Sequence, residues 1–416
     1  MPEYDLNKNY PGAVYKFSFV HMTDVHIGEG DGDYGTTGFY NDTMPVGDAG
    51  HPSLCLRNAV NWINAHYQQK NLKFIVISGD MTGSAEKSEF EKMKEILADC
   101  SIPYVPVMGN HDAWPYVRYQ FESPKADGDS VINETFSDVY DNCKNFFPIW
   151  NDGSRLTAVL NPETNNTSYL QNFYFGYDNF LFVALDFNPR YHVILDNFTH
   201  EPAPGIGPEA QLMDWEGGTF RWLQQTLQTI PGKGNHNIIV YSHHPPTEDF
   251  FATWYAFDTT EYRKISDLMY AYKQNMGMWL AGHIHREKLY KMATVRNQEI
   301  MPVYETGANK DHDSGWVKII NVYEIPTVTS VFEQQRDKSM SIYPNPNPGI
   351  FYLDAETIFP GAKMDVVNAE GKLVHSEILY PSEDQYRLDF SALSKGIYYI
   401  TITDKNRSRT EPLVIQ

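Results

Sequence analysis

Seven side chains that can bind metal ions lie in five short clusters along the sequence, and nearly every cluster follows an apolar, strand-like run. In an open α/β sheet the carboxyl ends of the strands form the crevice where ligands bind, so dispersed clusters of this kind can converge on one place. The side chains supply mixed oxygen and nitrogen donors, which suit Zn, Mn or Fe, and they predict a site for two such ions. The seven candidates are Asp24, His26, Asp80, Asn110, His243, His283 and His285.

The chemistry suited to two adjacent cations is the hydrolysis of a phosphoester. The cations can neutralise the phosphate oxygens and lower the pKa of a bridging water, which then attacks phosphorus in line. Asp80 is the candidate bridging ligand, because its carboxylate carries charge that offsets both ions. Asp24 and His26 can reach one ion from a single loop. The rings of His283 and His285 would point the same way if their segment were extended.

A proton donor for the leaving group is expected beside these ligands. His111 directly follows Asn110 and is the candidate donor. Asp112 could orient this imidazole or raise its pKa toward neutrality, where a general acid is most effective. A further carboxylate, Asp186, ends another apolar run and either approaches the site or caps a turn.

Two loops next to the clusters are candidates for contacts with the substrate. The first covers residues 28–50 and is either a surface loop next to the metal ligands or a lid or specificity loop, and the second follows Pro246. Aromatic side chains of the second loop, beside His243, could form a wall for a base, an acyl chain or a choline head group, and core packing is the equal alternative. The candidate substrate-binding residues are Tyr34, Tyr40, Trp254 and Tyr255.

Composition limits the class of protein. A length of 416 residues favours two domains, and 42% hydrophobic residues can form a substantial core. The formal net charge of -20 argues against a nucleic acid or an anionic membrane as the main partner, because most of the surface would repel it. Three cysteines allow at most one disulfide. No apolar run is long enough for a transmembrane helix, so none is predicted.

Strand-like runs alternate with helical patterns from Phe17 to about Ala281, and strands alone follow His285. This order predicts an α/β fold, a four-layer α-β-β-α sandwich whose two sheets face each other between helices. A hairpin is expected to turn at residues 177–178. Three helices with one buried face each are predicted, at Leu56 to Tyr67, at Phe90 to Leu97 and within Glu209 to Thr229. Ser84 is the candidate cap of the second helix.

The pattern changes near the carboxyl terminus. A polar segment ends in the sequence Pro-Asn-Pro-Asn-Pro at residues 344–348, which neither a helix nor a central strand can accommodate. Short β-type runs and turn signals follow it. The sequence therefore predicts a catalytic domain at 1–335, a Pro/Asn-rich linker at 336–348 and a small all-β sandwich at 349–416.

The five clusters, taken in order, resemble the motifs of the calcineurin-like metallophosphoesterase superfamily, from Phe17 to roughly Phe332. This resemblance implies that His111 contacts the phosphate and the leaving-group oxygen. It assigns one metal ion to Asp24, His26, Asp80 and His285. It assigns the other metal ion to Asp80, Asn110, His243 and His283.

Details of the motifs favour one branch of the superfamily. Purple acid phosphatases carry a Tyr a few residues after the bridging Asp, whereas Met81, Thr82, Gly83 and Ser84 follow Asp80 here. The 5'-nucleotidases usually have Gly-Asn-His-Glu, and this chain has Asp112 in the last position. The Gly-Asp-x-Thr form is more similar to the phosphodiesterase-like branch.

The last residues carry a resemblance of their own. From about Ser341 to Gln416 the sequence resembles the type A carboxyl-terminal sorting domain of type IX secretion, through Tyr-Pro-Asn-Pro at 343–346 and Gly-Ile-Tyr-Tyr-Ile at 396–400. The resemblance implies recognition by the type IX machinery, passage through the periplasm of a Gram-negative cell, and release or attachment at the surface. The polar amino terminus lacks a signal peptide, which we attribute to truncation of the sequence.

These features together predict a secreted dinuclear metal-dependent hydrolase of a small-molecule or lipid-head-group phosphoester, with a phosphodiesterase favoured. The alternative is a phosphomonoesterase, similar to an acid phosphatase or a nucleotidase, on the same metal core. A non-catalytic secreted binding protein is a third hypothesis. Substrate, metal identity and oligomeric state stay open at this point.

Overall fold

The computed structural model describes residues 1–29, 50–113, 128–162, 165–190, 194–195, 202–203, 209–230, 234–247, 256–325, 342–354, 362–379, 385–403 and 408–416. The chain divides into two compact units, Met1–Thr327 and Val328–Gln416. Within the described ranges, no helix is both long and apolar enough to cross a membrane.

The helices of the described residues all belong to the first unit. They are α1 (Gly50–His66), α2 (Lys87–Leu97), α3 (Asn110–Ala113), α4 (Gly128–Thr135), α5 (Ser137–Phe146), α6 (Thr219–Thr229) and α7 (Thr259–Ala271), with a 3-10 turn at Asn309–Asp311. The strands of this unit are β1 (Glu3–Leu6), β2 (Val14–Met22), β3 (Leu72–Ser78), β4 (Tyr104–Val107), β5 (Ile149–Asn151), β6 (Val159–Asn161), β7 (Asn166–Ser168), β8 (Phe173–Tyr177), β9 (Phe180–Leu185), β10 (Ile194–Leu195), β11 (Pro202–Ala203), β12 (Ile238–Ser242), β13 (Met276–Ala281), β14 (Lys288–Ala293), β15 (Glu299–Glu305) and β16 (Lys318–Glu324).

Two large sheets form the centre of the first unit. The first sheet has the strand order β1-β16-β2-β3-β4, and the second has the order β14-β15-β13-β12-β9-β8-β5. In the first sheet β2, β3 and β4 are parallel, and in the second β9, β12, β13 and β15 are parallel. Parallel strands end at the same edge of a sheet, so the residues that follow them are brought side by side.

The sheets pack face to face through aromatic rings. The rings of Phe19 and Phe74 in the first sheet each lie 5.1 Å from the ring of Phe182 in the second. Alternate residues of one strand point to opposite faces, so Phe182 faces the core between the sheets, while Leu181 and Val183 face the core beneath α6 and α7. Burial of both faces explains why these strands are continuous apolar runs in the sequence.

Helices cover the outer faces of the two sheets. Residues of α1, α2 and α5, such as Ile63, Phe90 and Tyr140, join the core of the first sheet. Residues of α6 and α7, such as Leu223 and Ile265, join the core of the second. The predicted α/β class and the α-β-β-α layering are confirmed. The predicted hairpin is also confirmed as β8 and β9, but its turn lies at Asp178 and Asn179, one residue later than predicted, with a φ of 52° at Asp178.

One predicted helix cap is wrong. Helix α2 is capped by Glu86 and not by Ser84. The backbone N–H groups of both residues donate to Oε2 of Glu89, at 3.2 and 2.9 Å. Because a buried carboxylate of the first helical turn already satisfies these donors, the serine hydroxyl has no capping function.

The predicted helix at 209–229 starts too early. The observed helix α6 begins at Thr219. Met213 and Gly217 have φ values of 53° and 82°, a left-handed conformation that a right-handed helix excludes. Leu212 is nevertheless buried in the same core as the helix, which is why its spacing fitted the helical pattern.

The second unit is all β. Its strands are β17 (Ile342–Tyr343), β18 (Ile350–Asp354), β19 (Ala362–Asn368), β20 (Leu373–Leu379), β21 (Gln385–Asp389), β22 (Gly396–Thr403) and β23 (Ser408–Ile415). They form one sheet in the order β17-β18-β21 and another in the order β20-β19-β22-β23. Phe351, Met364, Ile400 and Leu413 are among the residues of the core between them.

The predicted linker at 336–348 lies partly outside the described residues, and its boundary with the catalytic domain stays a prediction. Its last part, 342–348, is integrated into the β unit. The side-chain amide of Asn345 donates to the carbonyl of Pro412 at 2.7 Å, and the backbone N–H of Asn347 donates to the carbonyl of Val414 at 3.0 Å. The prolines therefore interrupt regular pairing, while the asparagines supply the hydrogen bonds.

Candidate metal centre

The loops that follow parallel strands carry all seven candidate ligands. In the first sheet, Asp24 and His26 follow β2, Asp80 follows β3, and Asn110 follows β4. In the second sheet the donors are imidazoles only: His243 follows β12, and His283 and His285 follow β13. One sheet therefore contributes every oxygen donor of the set, and both sheets contribute histidines.

One group of donor atoms lies around Asp24. Its Oδ1 atom is 3.2 Å from Nε2 of His285 and 3.9 Å from Nε2 of His26. His26 Nε2 is in turn 3.6 Å from Oδ2 of Asp80. The ligand atoms of Asp24, His26 and His285 all lie within 4.8 Å of one another, which is the spacing expected around a single ion.

A second group lies around His243. Its Nε2 atom is 3.1 Å from Oδ2 of Asp80, 2.9 Å from Oδ1 of Asn110 and 3.0 Å from Nδ1 of His283. One ring nitrogen thus faces a carboxylate, an amide oxygen and another imidazole. Asp80 belongs to this group and also contacts His26 of the first group. The structure therefore brings all seven residues together, with Asp80 between two halves.

The donor set is deeply buried. Asp24, Asp80, Asn110 and His243 are each at most 2% exposed. The side chain of His285 is 30% exposed, so solvent reaches the group at this residue. Buried charge of this density is stable only when it is paired or coordinates a cation.

The backbone at these residues is unusual. Asp24, His26, Asp80, His283 and His285 all have positive φ values, between 49° and 74°. The segment from His283 to His285 is therefore not extended, and the condition under which both rings would point the same way is not met. The two rings diverge, one to each half of the site. Non-glycine residues in this left-handed region are uncommon and concentrate where the surrounding structure imposes a functional geometry.

Hydrogen bonds between the loops hold this geometry. The backbone N–H groups of Val25 and His26 donate to the carbonyl of Asp80 at 2.8 and 2.9 Å. The backbone N–H of His283 donates to Oδ2 of Asp24 at 2.9 Å. The backbone N–H of His111 donates to Oδ1 of Asp80 at 2.9 Å. Each ligand loop is thus attached to another, which offsets the cost of the left-handed conformations.

Three glycines that directly precede ligands pack against other ligands. A Cβ atom at Gly109 would overlap Oδ1 of Asp80, and one at Gly282 would overlap Oδ2 of Asp24. A Cβ atom at Gly79 would lie 2.7 Å from Nδ1 of His243. The sequence shows a glycine directly before the ligand in these three clusters, but the contact that each glycine makes across the site could not be inferred from it.

The pKa values of the buried ligands are shifted mainly by the opposite charges of their neighbours. Burial alone would raise the pKa of Asp24, yet the neighbouring imidazoles of His26 and His285 hold it well below its ordinary value. The pKa of Asp80 is also lowered, because the charge of the His243 imidazole outweighs the effect of burial. Burial alone would lower the pKa of His243, and the Asp80 carboxylate instead raises it to about 9. The pocket therefore strongly favours positive charge beside these carboxylates.

The residues fit metal ions. Both ring nitrogens of His26 are buried and form no hydrogen bond within the described part of the chain. A buried imidazole without such bonds, facing two carboxylates, has the arrangement of a metal ligand. The mixture of carboxylate, amide and imidazole suits borderline divalent ions.

The predicted action of Asp112 on His111 is wrong. The Asp112 carboxylate instead accepts hydrogen bonds from the backbone N–H groups of Met81, Thr82 and Gly109, at 3.1, 2.9 and 2.9 Å. Nδ1 of His111 faces the carbonyl of Gly83 at 2.8 Å. Burial lowers the pKa of His111 to about 4, in the direction opposite to the one expected. Asp112 therefore organises the loops of Asp80 and Asn110.

Asp186 forms a turn and does not join the ligands. Its carboxylate accepts from the backbone N–H groups of Gln171 and Asn188, both at 3.0 Å, and pairs with the guanidinium of Arg190 at 2.7 Å. Of the two interpretations of Asp186, the turn cap is the one that these contacts support.

The segment at residues 309–313, which the sequence did not predict as part of the site, borders the metal centre. The backbone N–H of Asn309 donates to the carbonyl of Thr23 at 3.0 Å. The ammonium of Lys310 lies 2.9 Å from Glu29 and 3.3 Å from Asp311. Asp311 Oδ2 lies 3.6 Å from Nδ1 of His285. The only sequence signal was the polar run at 309–313 between two strands.

The four aromatic candidates, Tyr34, Tyr40, Trp254 and Tyr255, lie outside the described residues. Their roles stay predictions.

Two facing sheets that bring carboxylate, amide and imidazole donors to one edge define an α/β protein with a metal-binding centre. Residues 17–287 match the family model of the calcineurin-like phosphoesterases. The match covers more than half of the 416 residues, so the chain belongs to this family. The phosphoesterase class and the metal-binding character that the sequence predicted follow from this membership.

Residues 341–416 match the model of the secretion system C-terminal sorting domain. The predicted sorting domain is confirmed. It implies the secretion machinery as a partner, and it indicates a protein that is secreted or displayed at the cell surface.

Several solved structures are similar at low identity. A purple acid phosphatase from yellow lupin (Lupinus luteus) seeds has 12% identity and a TM-score of 0.37, covering 97% of this chain and 52% of that chain. A 5'-nucleotidase from Candida albicans has 13% identity and a TM-score of 0.37, covering 71% and 46%. PorZ, a surface component of the type-IX secretion system of Porphyromonas gingivalis, has 15% identity and a TM-score of 0.16, covering 21% and 12%. This chain thus spans about half the length of the phosphatase and of the nucleotidase, and a search of curated proteins gave no match.

Proposed function

We propose that the protein is a dinuclear metal-dependent phosphoester hydrolase that prefers phosphodiesters. The observation that carries the proposal is the position of Asp80. Its Oδ2 atom lies 3.1 Å from His243 and 3.6 Å from His26, at the junction of the two donor groups. A carboxylate shared by two clusters of metal-binding side chains is the arrangement that two neighbouring cations require.

Each half of the site would hold one ion. The first would be held by Asp24, His26, Asp80 and His285, and the second by Asp80, Asn110, His243 and His283. We propose Zn, Mn or Fe as the ions, because their preferences match mixed nitrogen and oxygen donors. When bound, such a pair neutralises phosphate charge and makes water a competent nucleophile near neutral pH.

His111 is proposed to assist the leaving group. Its ring centroid lies 4.6 Å from that of His26, and its backbone N–H is bonded to Asp80. A carbonyl can only accept, so Nδ1 of the ring carries the proton that faces Gly83. The other nitrogen, Nε2, is then the atom at which the ring takes up or delivers a proton. The contact with the Gly83 carbonyl, and not Asp112, therefore sets which ring nitrogen of His111 carries the proton.

The charges beside His285 support the preference for a diester. Arg286 is paired with the buried carboxylate of Glu305. Lys310 is paired with Glu29 and Asp311. Among the described residues, the two basic side chains that flank this end of the site are therefore already neutralised, and a monoester dianion would have to compete with these carboxylates. A diester carries one negative charge, which the proposed ions can balance alone.

Paired substrates test the proposed function. Hydrolysis of bis(p-nitrophenyl) phosphate and of p-nitrophenyl phosphate would be measured on protein reloaded with Zn²⁺, Mn²⁺ or Fe²⁺ after chelation. We expect a higher kcat/KM for the diester. A strong preference for the monoester would reverse the assignment to the phosphomonoesterase alternative, and no hydrolysis of either substrate would favour the binding-protein hypothesis.

Export by the type IX route of a Gram-negative cell, through the periplasm, is part of the proposal. The sorting match at 341–416 supports it. Deletion of residues 341–416 should leave the specific activity of the catalytic unit intact and retain the protein inside the cell. Secretion of the truncated protein at the level of the full chain would contradict this role.

A further inference from the structure

His21 is a buried histidine that links the two sheets directly behind the candidate metal centre. It lies in β2 of the first sheet and is fully buried. Its Nδ1 atom is 2.8 Å from the hydroxyl of Thr306, which follows β15 of the second sheet. Its Nε2 atom is 2.8 Å from the hydroxyl of Ser78, at the end of the neighbouring strand β3. Both nitrogens of the ring are therefore engaged by buried hydroxyl groups.

Ser78 connects this ring to ligands on both sheets. Its carbonyl faces Nδ1 of His243 at 2.9 Å, so it fixes the ring whose other nitrogen faces Asp80. The same carbonyl accepts from the hydroxyl of Thr23 at 3.2 Å. That hydroxyl also lies 2.7 Å from Oδ2 of Asp24. Ser78 itself is two residues before Asp80.

Thr306 connects the ring to the remaining histidines. Its backbone N–H donates to the carbonyl of Ala281 at 2.9 Å, at the end of the strand that leads to His283 and His285. His21 is thus hydrogen-bonded to Ser78, which precedes the ligand loop of β3, and to Thr306, whose backbone is bonded to the end of β13. It also precedes Asp24 by three positions on its own strand.

We propose that His21 is a positioning residue that sets the separation of the two sheets at the metal end and thereby the fit of both ions. The inference rests on the proposed metal-dependent function. Oxygen ligands and several imidazoles come from opposite sheets, so a small change in sheet separation changes all cross-site distances together. The rigid imidazole spans the gap with a hydrogen bond at each end, which an aliphatic side chain cannot do.

If His21 only stabilised the core, its substitution would lower the stability of the fold without a specific effect on metal binding. Loss of a buried hydrogen bond anywhere in β2 lowers the stability of the fold. Ser18 provides the matched case, because it is buried in the middle of the same strand, three residues before His21, and its hydroxyl donates to Oδ1 of Asn321 in β16 at 2.7 Å. Ser18→Ala therefore removes a comparable bond without touching the ligand loops.

The experiment compares His21→Gln, Thr306→Val, Thr306→Ser and Ser18→Ala in the full chain. Binding of Zn²⁺ is measured by competition with a chromophoric chelator, and kcat and KM are measured separately with bis(p-nitrophenyl) phosphate. Thermal unfolding in the presence of chelator is recorded for each variant. The two substitutions of Thr306 keep the test valid even if His21→Gln does not fold, because valine keeps the volume of threonine and serine keeps the hydroxyl.

We expect His21→Gln and Thr306→Val to bind Zn²⁺ about 10-fold or more weakly and to lose kcat with little change in KM. Thr306→Ser should restore most of the affinity, and Ser18→Ala should bind Zn²⁺ as the wild type does at a similarly reduced unfolding temperature. Wild-type affinity in Thr306→Val, or an equal loss of affinity in Ser18→Ala, would overturn the inference. Failure of the wild type itself to bind Zn²⁺ or to hydrolyse the diester would instead refute the proposed function.

Discussion

Oδ2 of Asp80 lies 3.1 Å from Nε2 of His243, although the two residues follow strands of different sheets. The distance joins a carboxylate of the first sheet to an imidazole of the second at the edge where the parallel strands end. Both side chains are almost completely buried. The pairing makes the site a product of sheet-on-sheet packing, so changes that alter the packing at this edge should alter metal binding.

Gly109 offers the sharpest test of that packing. Alanine at this position would place a Cβ atom into the Asp80 carboxylate, which must then move. We expect Gly109→Ala to lose bound metal and to be destabilised by about 1–3 kcal/mol, the usual cost of overpacking. Metal content by mass spectrometry and urea unfolding would measure both effects.

Gly307→Ala is the matched control for this substitution. Its Cβ atom would lie 3.4 Å from the ring of Trp316, an ordinary contact, and its φ is not in the left-handed region. We expect full metal content and a change in stability within about 0.5 kcal/mol. Equal metal content in the two variants would show that the close approach of Gly109 to Asp80 has no importance for the site.

Asp112→Asn should act on structure and not on the proton donor. The amide can no longer accept all of the hydrogen bonds from Met81, Thr82 and Gly109, and hydrogen bonds to a charged group are worth about 1.5–3 kcal/mol each. We expect a loss of about 3 kcal/mol or more in the free energy of unfolding. The shape of the pH–kcat profile should stay unchanged, since the carboxylate does not contact the His111 ring. A shifted profile at unchanged stability would restore the orienting role that the sequence suggested.

Much of this arrangement was visible in the sequence. Asp24, Asp80 and His243 each follow a strand-like run, and this order can be recognised in the sequence. Because parallel strands end at the same edge of a sheet, the order indicated that these residues converge. The left-handed backbone of the ligands, the partners of Asp112 and the start of α6 at Thr219 were not visible. They depend on contacts between segments far apart in the chain, and a local pattern carries no information about which loop supplies a hydrogen bond.

His21 should make the unfolding free energy depend on pH. Burial lowers its pKa from 6.5 to about 3, so the folded protein keeps the ring neutral while the unfolded chain takes up a proton below pH 6.5. This contribution to stability is therefore fully present above pH 6.5 and is lost as the pH falls toward 3, by up to about 1.4 kcal/mol per pH unit. Urea unfolding in the presence of chelator at pH 7.5, 6.0 and 5.0 measures it. His21→Gln should give a shallower slope, and identical slopes would contradict the buried neutral ring.

Glu29→Gln should shift the substrate preference. It removes one of the two carboxylates that neutralise Lys310, and it leaves positive charge near His285 that favours a dianion. We expect the ratio of monoester to diester kcat/KM to rise about 2- to 5-fold, the scale of a surface charge pair. Glu91→Gln, on the exposed face of α2, is the control and should leave the ratio unchanged. A fall in the ratio for Glu29→Gln would refute the electrostatic basis of the diester preference.

The most direct test of the central claim is metal stoichiometry measured together with hydrolysis on the same protein. Wild-type chain would be stripped with chelator and titrated with Zn²⁺ or Mn²⁺, while bound metal per chain and the hydrolysis of bis(p-nitrophenyl) phosphate are followed. We expect activity to reach its maximum at two ions per chain, and we expect Asp80→Asn to reach neither this stoichiometry nor this activity. Full hydrolysis by the stripped protein, or unchanged binding and activity in Asp80→Asn, would contradict the claim.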